Sequence, residues 1–518
     1  MNNAPARPIR FVHQGEIQDV SGLPPTTTVL QWLREHAHCT GTKEGCAEGD
    51  CGACTVVVAE LDAASGELHK RSVNACIQFL PTLDGRALFT VEDLPAINAG
   101  ELHPCQQAMV ACHGSQCGFC TPGFVMSLWQ TYEQHEMALP RAALADALSG
   151  NLCRCTGYRP ILDAGQAMYT APRVLLDEAP VKAALATLNT DSEPGLVYEG
   201  PDAGHPGAHA RFMAPTTLDE LAALRQAWPQ ARLLAGSTDI GLWVNKQFKA
   251  LGDILYLGRV DALKAITPWG AEALMPDGLE IGAGASLEAA WSALSQHIPA
   301  LREIWLRFAS PPVRHVGTLG GNIANGSPIG DGAPVLLALG ASVVLRCGTA
   351  TREMPLSAFY LGYMRNALQA GEFIQSLRVP LPRSEHGEVF RAYKVSKRRD
   401  SDISALCAGL MLRLTPPQLE SGQEAQAMPP VIAEARLAWG GLAATACRGA
   451  ATEAALLGQA WNEATLRQAQ AALVHDFQPL SDLRASSDYR LKVAANLLER
   501  FWLETRPDAP LPACAVQV

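Results

Sequence analysis

Apolar and polar positions near the start of the chain alternate with a period of two. Ile9-Arg10-Phe11-Val12 reads as a strand, Gln14-Gly15 as a turn, and Ile17 to Val20 as the returning strand. The period then lengthens. Thr28-Val29-Leu30-Gln31 opens a helix with a capping-box pattern, and Val29, Leu33 and Ala37 make its apolar stripe. Thr55-Val56-Val57-Val58 is β-branched throughout and predicts another strand. Strands, one helix and a cysteine-rich loop suggest a β-grasp arrangement over residues 1–92.

Residues 93–172 change character. Pro104 to Cys112, Pro122 to His135, Arg141 to Leu148 and Pro160 to Ala171 carry helical patterns and predict a four-helix unit. Pro122 suits a first helical position, with Thr121 as the cap before it. Residues 173–208 read as a linker on the surface: Asp191 to Gly195 and Pro201 to Gly207 are turn-rich and unpatterned. From 209 to 385 strands alternate with helices, Arg232 to Leu234, Ile254 to Leu257 and Val343 to Leu345 being short apolar strands. Residues 386–508 hold longer strands, Phe390 to Val395, Ile403 to Leu414 and Val431 to Trp439, with helices at Ala451 to Leu457 and Tyr489 to Trp502. The tail from Arg506 is proline-rich and reads as loose. Taken together the pattern is that of a multidomain α+β protein without internal repeats.

Composition narrows this. At 518 residues the chain holds three or four domains, and 48% hydrophobic with 18% charged residues is a globular mix. A net charge of −10, spread without long blocks, argues against a nucleic-acid binder, which needs a basic stripe. No signal peptide or membrane span is apparent, so the expected compartment is the cytoplasm. There, fifteen cysteines are not expected to form structural disulfides.

Eleven of those fifteen precede residue 156, and eight fall into two sets of four. The first is Cys46-x4-Cys51-x2-Cys54 with Cys76 further on. This is the plant-type spacing of a [2Fe–2S] site. Gly45, Gly49 and Gly52 let the loop fold tightly and turn its amides inward. The second set is Cys117-x2-Cys120 and Cys153-x-Cys155. Both of its pairs stand just before predicted helix starts, whose partial positive charge would favour an anionic thiolate cluster, and the expectation is a second site buried among the four helices. Zinc is the alternative occupant, although structural zinc more often shows two C-x2-C pairs. Cys39, Cys105 and Cys112 read as packed free thiols.

Three stretches resemble the molybdenum hydroxylase family. Gly41 to Val56 looks like the first cluster loop of its xanthine dehydrogenase branch in particular, and Gln116 to Gly123 with Asn151 to Pro160 looks like the second cluster motif. The resemblance implies a ferredoxin-like [2Fe–2S] domain at 1–92, a helical [2Fe–2S] domain at 93–172, an FAD-binding domain at 209–385 and a flavoprotein C-terminal domain of the CO dehydrogenase type at 386–508. Leu233-Leu234-Ala235-Gly236-Ser237-Thr238-Asp239-Ile240 and the Gly- and Asn-rich Thr318 to Asp331 match its FAD motifs. By position in those motifs, Phe308, Thr318, Gly321, Asn322, Asp331, Ile374 and Lys394 carry over as FAD neighbours. The loop from Lys394 to Ile403 resembles one near the flavin ring, with a charged surface turn as the alternative for Lys397 to Arg399.

The family's molybdenum domain has no stretch left to occupy here. The resemblance therefore points to the small subunit of a bacterial xanthine dehydrogenase. It implies a large partner carrying the molybdenum cofactor, two copies of each subunit, and NAD+ as final acceptor of electrons passed through two [2Fe–2S] clusters and FAD. The catalytic centre would be on the partner. An equivalent subunit acting on an aldehyde, an aromatic acyl thioester or another heterocycle, or a non-catalytic metal-binding protein, are the competing readings.

Overall fold

Strand Thr55–Leu61 organises the first part of the molecule because both of its faces are buried. The computed structural model describes residues 5–62, 65–188, 195–270, 276–416, 429–508 and 510–512. They form two units, one from the chain up to Ala262 together with Ala309–Thr318, the other from Leu263–Phe308 and the chain from Leu319 onward. The sequence expectation of one flavin domain over 209–385 thus spans parts of both. No described helix is long and apolar enough to cross a membrane.

In the first unit a five-stranded sheet runs in the order Glu16–Val20, Ile9–His13, Ala87–Phe89, Thr55–Leu61, Leu68–Asn74. The first two pair as the expected hairpin, Ile9 opposite Val20 and His13 opposite Glu16. Ala87–Phe89 joins Ile9–His13 in parallel, which is the β-grasp layout. Helix Val29–Glu35 is capped as its sequence predicts: Thr28 Oγ1 accepts from the Gln31 N–H at 3.1 Å, and Gln31 Oε1 accepts from the Thr28 N–H at 2.8 Å. The period-two alternation of Thr55–Leu61 then does two jobs. Val56 and Val58 enter a core with Phe11, Val29 and Leu33. Val57 and Ala59 enter a second core with Phe124, Leu128 and Trp129. Each fully buried Val contributes roughly 1.5–3 kcal/mol, so one strand fastens two lobes.

The second lobe holds the four expected helices, Pro104–Ala111, Thr121–Gln134, Arg141–Ala147 and Arg159–Ala167. The cap differs from expectation: Cys120 occupies the cap position and Thr121 is already helical, its hydroxyl donating to Ser115 Oγ at 2.7 Å. The linker reading of 173–208 is corrected more fully. It contains helix Glu178–Leu188 and strand Leu196–Pro201. Val181, Leu185 and Leu188 make a one-sided stripe at helical spacing and are buried in the core of Phe124 and Trp129; the neighbouring turn residues masked it. Residues 189–194 of that reading lie outside the described residues.

One ionic cluster pins this helix to the rest. Lys70 Nζ donates to Glu133 at 2.9 Å and to Glu178 at 2.6 Å, with the Glu133 side chain 2% exposed. Lys70→Met leaves that carboxylate buried and uncompensated. The expected loss is about 3–5 kcal/mol, read as a fall in the urea midpoint, whereas Lys70→Arg keeps most of the stability. A loss below about 1 kcal/mol, the surface-pair range, would contradict it.

A four-stranded sheet completes the first unit, in the order Leu196–Pro201, His209–Ala214, Ile254–Tyr256, Arg232–Leu234, the last three parallel. Its Tyr198, Phe212, Leu234 and Ile254 share the core of Phe11 and Val29. Buried Asp84 ties the same parts together, accepting from both Arg7 Nη1 and Nη2 at 2.8 Å and from Arg259 at 2.6 Å.

The second unit has two sheets. One is antiparallel, Ile266–Trp269, Gly278–Gly282, Phe373–Pro380, Ser342–Cys347, Ala350–Pro355. The other orders Glu388–Val395, Leu406–Thr415, Val431–Gly440 and Cys447–Arg448, with helices Ala450–Leu456, Glu463–Asp476 and Ser487–Thr505 on it. Helix Gly332–Leu339 lies close on Leu406–Thr415 because Gly409 has no side chain: a methyl there would come 2.6 Å from the Pro334 carbonyl.

Candidate functional site

The two thiol sets lie in the first unit, and each set converges. In the first, Cys46 to Cys54 line the loop before strand Thr55–Leu61, and Cys76 follows strand Leu68–Asn74, which pairs with it. The fourth thiol, distant in sequence, is therefore delivered by sheet register. Gly45, Gly49 and Gly52 make the loop possible. A methyl on Gly45 would sit 2.8 Å from Cys51 Sγ, and Gly49 and Gly52 take φ of +80° and +72°.

The sulfurs compete for charge. Hydrogen bonds from Cys51 and Cys76 hold Cys46 well below the ordinary thiol range, and the same contact with Cys46, with burial, pushes Cys51 and Cys76 above it. Cys54 is pulled down by its contact with Cys76. Left to themselves the four sulfurs share protons, and a multivalent cationic centre would be needed to hold all of them as thiolates. Neighbouring thiol pairs, two sulfurs to each metal, suit a two-iron group.

In the second set Cys155 Sγ lies 3.6 Å from Cys117 Sγ. Burial and Cys153 push Cys120 up to about 12. Against burial, the Thr156 hydroxyl and N–H, 3.2 and 3.4 Å away, hold Cys153 down. The Phe119 N–H and then Cys155 lower Cys117. The expected burial among helices is not what the chain does: Cys153 is buried, Cys120 is partly so, and Cys117 and Cys155 are exposed. Both pairs precede helix starts, so their sulfurs gather at the ends of helices rather than between them. Phe119 and Tyr158 are also exposed beside them.

The two loops touch. The Leu152 N–H donates to the Cys51 carbonyl at 2.9 Å, one residue before Cys153. Asn151, 3% exposed, is oriented by its network so that its amide donates to the Gly52 carbonyl at 3.1 Å and to the Gly123 carbonyl at 3.2 Å, and accepts from Ser127 Oγ at 2.7 Å. A methyl on Gly123 would come 2.1 Å from the Gly52 carbonyl. Asn151 stands inside the second cysteine motif, but only the fold reveals that it bridges both.

The residues expected near FAD fall in both units. In the first, Leu233 and Leu234 end strand Arg232–Leu234, Ala235 and Gly236 turn, and Thr238 and Asp239 lead into helix Ile240–Asn245. Ser237 is buried in left-handed backbone, φ +63°, its Oγ donating to the Ile77 carbonyl at 2.6 Å. A methyl on Gly236 would lie 2.0 Å from the Val316 carbonyl, so this turn and the segment ending at Thr318 press together. A tight turn of small residues before a helix is the kind of backbone that can present amides to a pyrophosphate.

In the second unit, Lys394 Nζ donates to Asp331 Oδ2 at 2.7 Å, and Ser404 Oγ donates to Asp331 Oδ1 at 2.5 Å. This pair is buried, with side chains 2% and 7% exposed. Asn322 borders it, since a methyl on Gly332 would meet its Oδ1 at 2.4 Å. Gly321 precedes it on helix Leu319–Asn325. Phe308 packs on Trp291 with ring centres 5.9 Å apart, and Ile374 is buried in strand Phe373–Pro380. Arg307, which the sequence reading missed, donates to the Lys394 and Arg399 carbonyls at 3.1 Å and anchors that loop. Lys397 is an exposed turn residue, donating to the Leu483 carbonyl at 2.9 Å.

Comparison with known proteins adds family information. Residues 11–80 match the 2Fe-2S iron-sulfur cluster binding domain and 90–166 the [2Fe-2S] binding domain. Residues 208–382 match the FAD binding domain in molybdopterin dehydrogenase, and 391–505 the CO dehydrogenase flavoprotein C-terminal domain. The chain is similar to xanthine dehydrogenase of Emericella nidulans, 32% identical over 545 residues, covering 95% of this chain and 38% of that protein. It is similar to aldehyde oxidase 4 of Cavia porcellus, 29% identical over 533 residues, covering 93% of this chain and 38% of that protein. The chain thus spans under two-fifths of the length of these relatives. Among solved structures, it resembles a chain of carbon monoxide dehydrogenase from Hydrogenophaga pseudoflava lacking the Mo-pyranopterin moiety, at 27% identity and TM-score 0.48, covering 56% of this chain and 94% of that one.

Proposed function

We propose that the chain is the [2Fe–2S] and FAD electron-transfer region of a molybdenum hydroxylase and serves as the small subunit of a xanthine dehydrogenase, carrying electrons from purine oxidation on a partner to NAD+. When bound, two [2Fe–2S] clusters carry single electrons, and FAD accepts them singly and returns them as hydride. Cys46, Cys51, Cys54 and Cys76 would hold one cluster, and Cys117, Cys120, Cys153 and Cys155 the other. Leu233 to Ile240 with Thr318, and Phe308, Gly321, Asn322, Asp331, Ile374 and Lys394, would hold FAD.

The observation that carries the relay is the Leu152 N–H to Cys51 carbonyl hydrogen bond at 2.9 Å, a short covalent and hydrogen-bonded path from one thiol set to the other. Asn151 keeps the loops in register around it. The exposed thiols Cys117 and Cys155, with Phe119 and Tyr158, form the face on which a molybdenum-bearing partner would dock. The Lys394–Asp331 pair would present a fixed, desolvated polar group to the nucleotide.

Similarity to an aldehyde oxidase supports an alternative substrate class. Co-expression with a large molybdenum partner tests both readings. The expected complex is brown, binds about four irons per small chain, has two copies of each subunit and forms NADH with xanthine. Aldehyde-dependent turnover without purine turnover would favour the alternative. A colourless, zinc-loaded chain would remove the electron-transfer reading.

A further inference from the structure

We propose that Asn245 is a positioning residue for the first thiol set, clasping the loop that bears Cys46 to the segment that bears Cys76. The inference rests on the assignment of a cluster to those thiols. An amide nitrogen has two N–H groups, and Asn245 spends them on two backbone carbonyls, Cys76 at 2.7 Å and Ala47 at 3.1 Å. The opposite orientation would set its oxygen against both carbonyls, so the orientation is fixed by chemistry.

Ala47 needs such a clasp. It takes φ +55°, left-handed backbone that a residue with a Cβ adopts at a cost. The neighbouring residue on each side adds to the grip: Lys246 Nζ lies 3.9 Å from Glu48 Oε2. Four residues on from Ala47 the loop has turned back, and the Cys51 N–H donates to Cys46 Sγ at 3.4 Å. Donors to ligand sulfurs favour the reduced cluster. Slackening at Ala47 loosens that donor, so the cluster should become harder to reduce.

Asn245 also reaches the other end of the system. It closes helix Ile240–Asn245, which follows the turn at Gly236 and Ser237. That turn grips the Cys76 segment as well: Gln78 Nε2 donates to the Gly236 carbonyl at 2.9 Å, and Ser237 Oγ to the Ile77 carbonyl at 2.6 Å. A methyl on Gly241 would come 2.7 Å from the same Ile77 carbonyl. The stretch 236–246 therefore holds residues 47–48 and 76–78 at once, and the Asn245 side chain is hydrogen-bonded to both.

The test is a poised redox titration of the iron-loaded full chain, followed by electron paramagnetic resonance of its two [2Fe–2S] signals. Asn245→Leu is expected to alter one signal's g-values and to lower its reduced-to-oxidised ratio several-fold at a fixed potential, leaving the other signal unmoved. Adding Ala47→Gly to that variant should move the signal back, because the loop then adopts its left-handed turn without help. Asn245→Ser, which removes the long reach with less steric change, gives the same comparison if the leucine variant does not accumulate. Both signals unmoved, both moved alike, or a shift that Ala47→Gly leaves untouched overturns the proposal. A wild-type chain that binds no iron would instead overturn the cluster assignment.

Discussion

Cys51→Ser is expected to lower bound iron from about four to about two per chain, erase one of two [2Fe–2S] signals, and cut substrate-driven flavin reduction by on the order of 100-fold or more. Loss of an outer-shell partner alone already costs about 10–100-fold. Cys51 carries two roles at once. Its sulfur lies against Cys46, and its carbonyl receives the Leu152 N–H from the other loop. The backbone contact survives the substitution, so the change isolates the sulfur. Partner turnover with an artificial acceptor should persist, because in the proposed series the chemistry on the partner lies upstream of this cluster. Stopped-flow bleaching of the flavin by xanthine, against dye-linked turnover of the same preparation, makes the comparison. Wild-type flavin reduction in a variant lacking one cluster would break the proposed series.

Gly52→Ala is expected to be the most damaging single change to stability in the first unit that adds only one methyl. The position takes φ +72°, and the new Cβ would come 2.1 Å from the Gly150 carbonyl and 2.7 Å from the Asn151 side-chain amide. Left-handed backbone alone costs about 1–2 kcal/mol with a Cβ. The contact is with backbone, which cannot rotate away, so the two thiol loops must part. The total should be on the order of 4 kcal/mol, at the rare end for one substitution. Urea denaturation measures it, with the slope unchanged if the unfolded state is unaffected. Gly66→Ala is the control: φ is +70° but nothing lies within 4 Å of the added atom, so only the backbone cost remains. Equal losses at the two positions would show that the loop contact contributes nothing.

Much of the fold was legible from local pattern. The hairpin at Ile9, the Thr28–Gln31 cap and the four helices of the second lobe follow from spacing within a dozen residues. Helix Glu178–Leu188 was legible in principle, through Val181, Leu185 and Leu188, but the surrounding turn residues outweighed three apolar positions. The cap of helix Thr121–Gln134 was misplaced by one residue because Thr and Cys are both small polar side chains and Pro is accepted at either early position. Exposure of Cys117 and Cys155 could not be read at all, since burial depends on what packs over a helix end.

By itself the sequence determined which groups can bind: two sets of thiols, a small-residue turn after Leu234, and a Gly- and Asn-rich segment before Asp331. Those are matters of residue type and short spacing, which local chain geometry preserves in any compact fold. Only the tertiary structure decided who meets whom. It brought Asn245 to the Cys76 carbonyl across 169 residues, Leu152 to Cys51, and Lys70 to Glu133 and Glu178. Such meetings are set by strand register and by which face of a helix is buried. Both come from the summed packing of the whole core, so no single stretch of sequence encodes them.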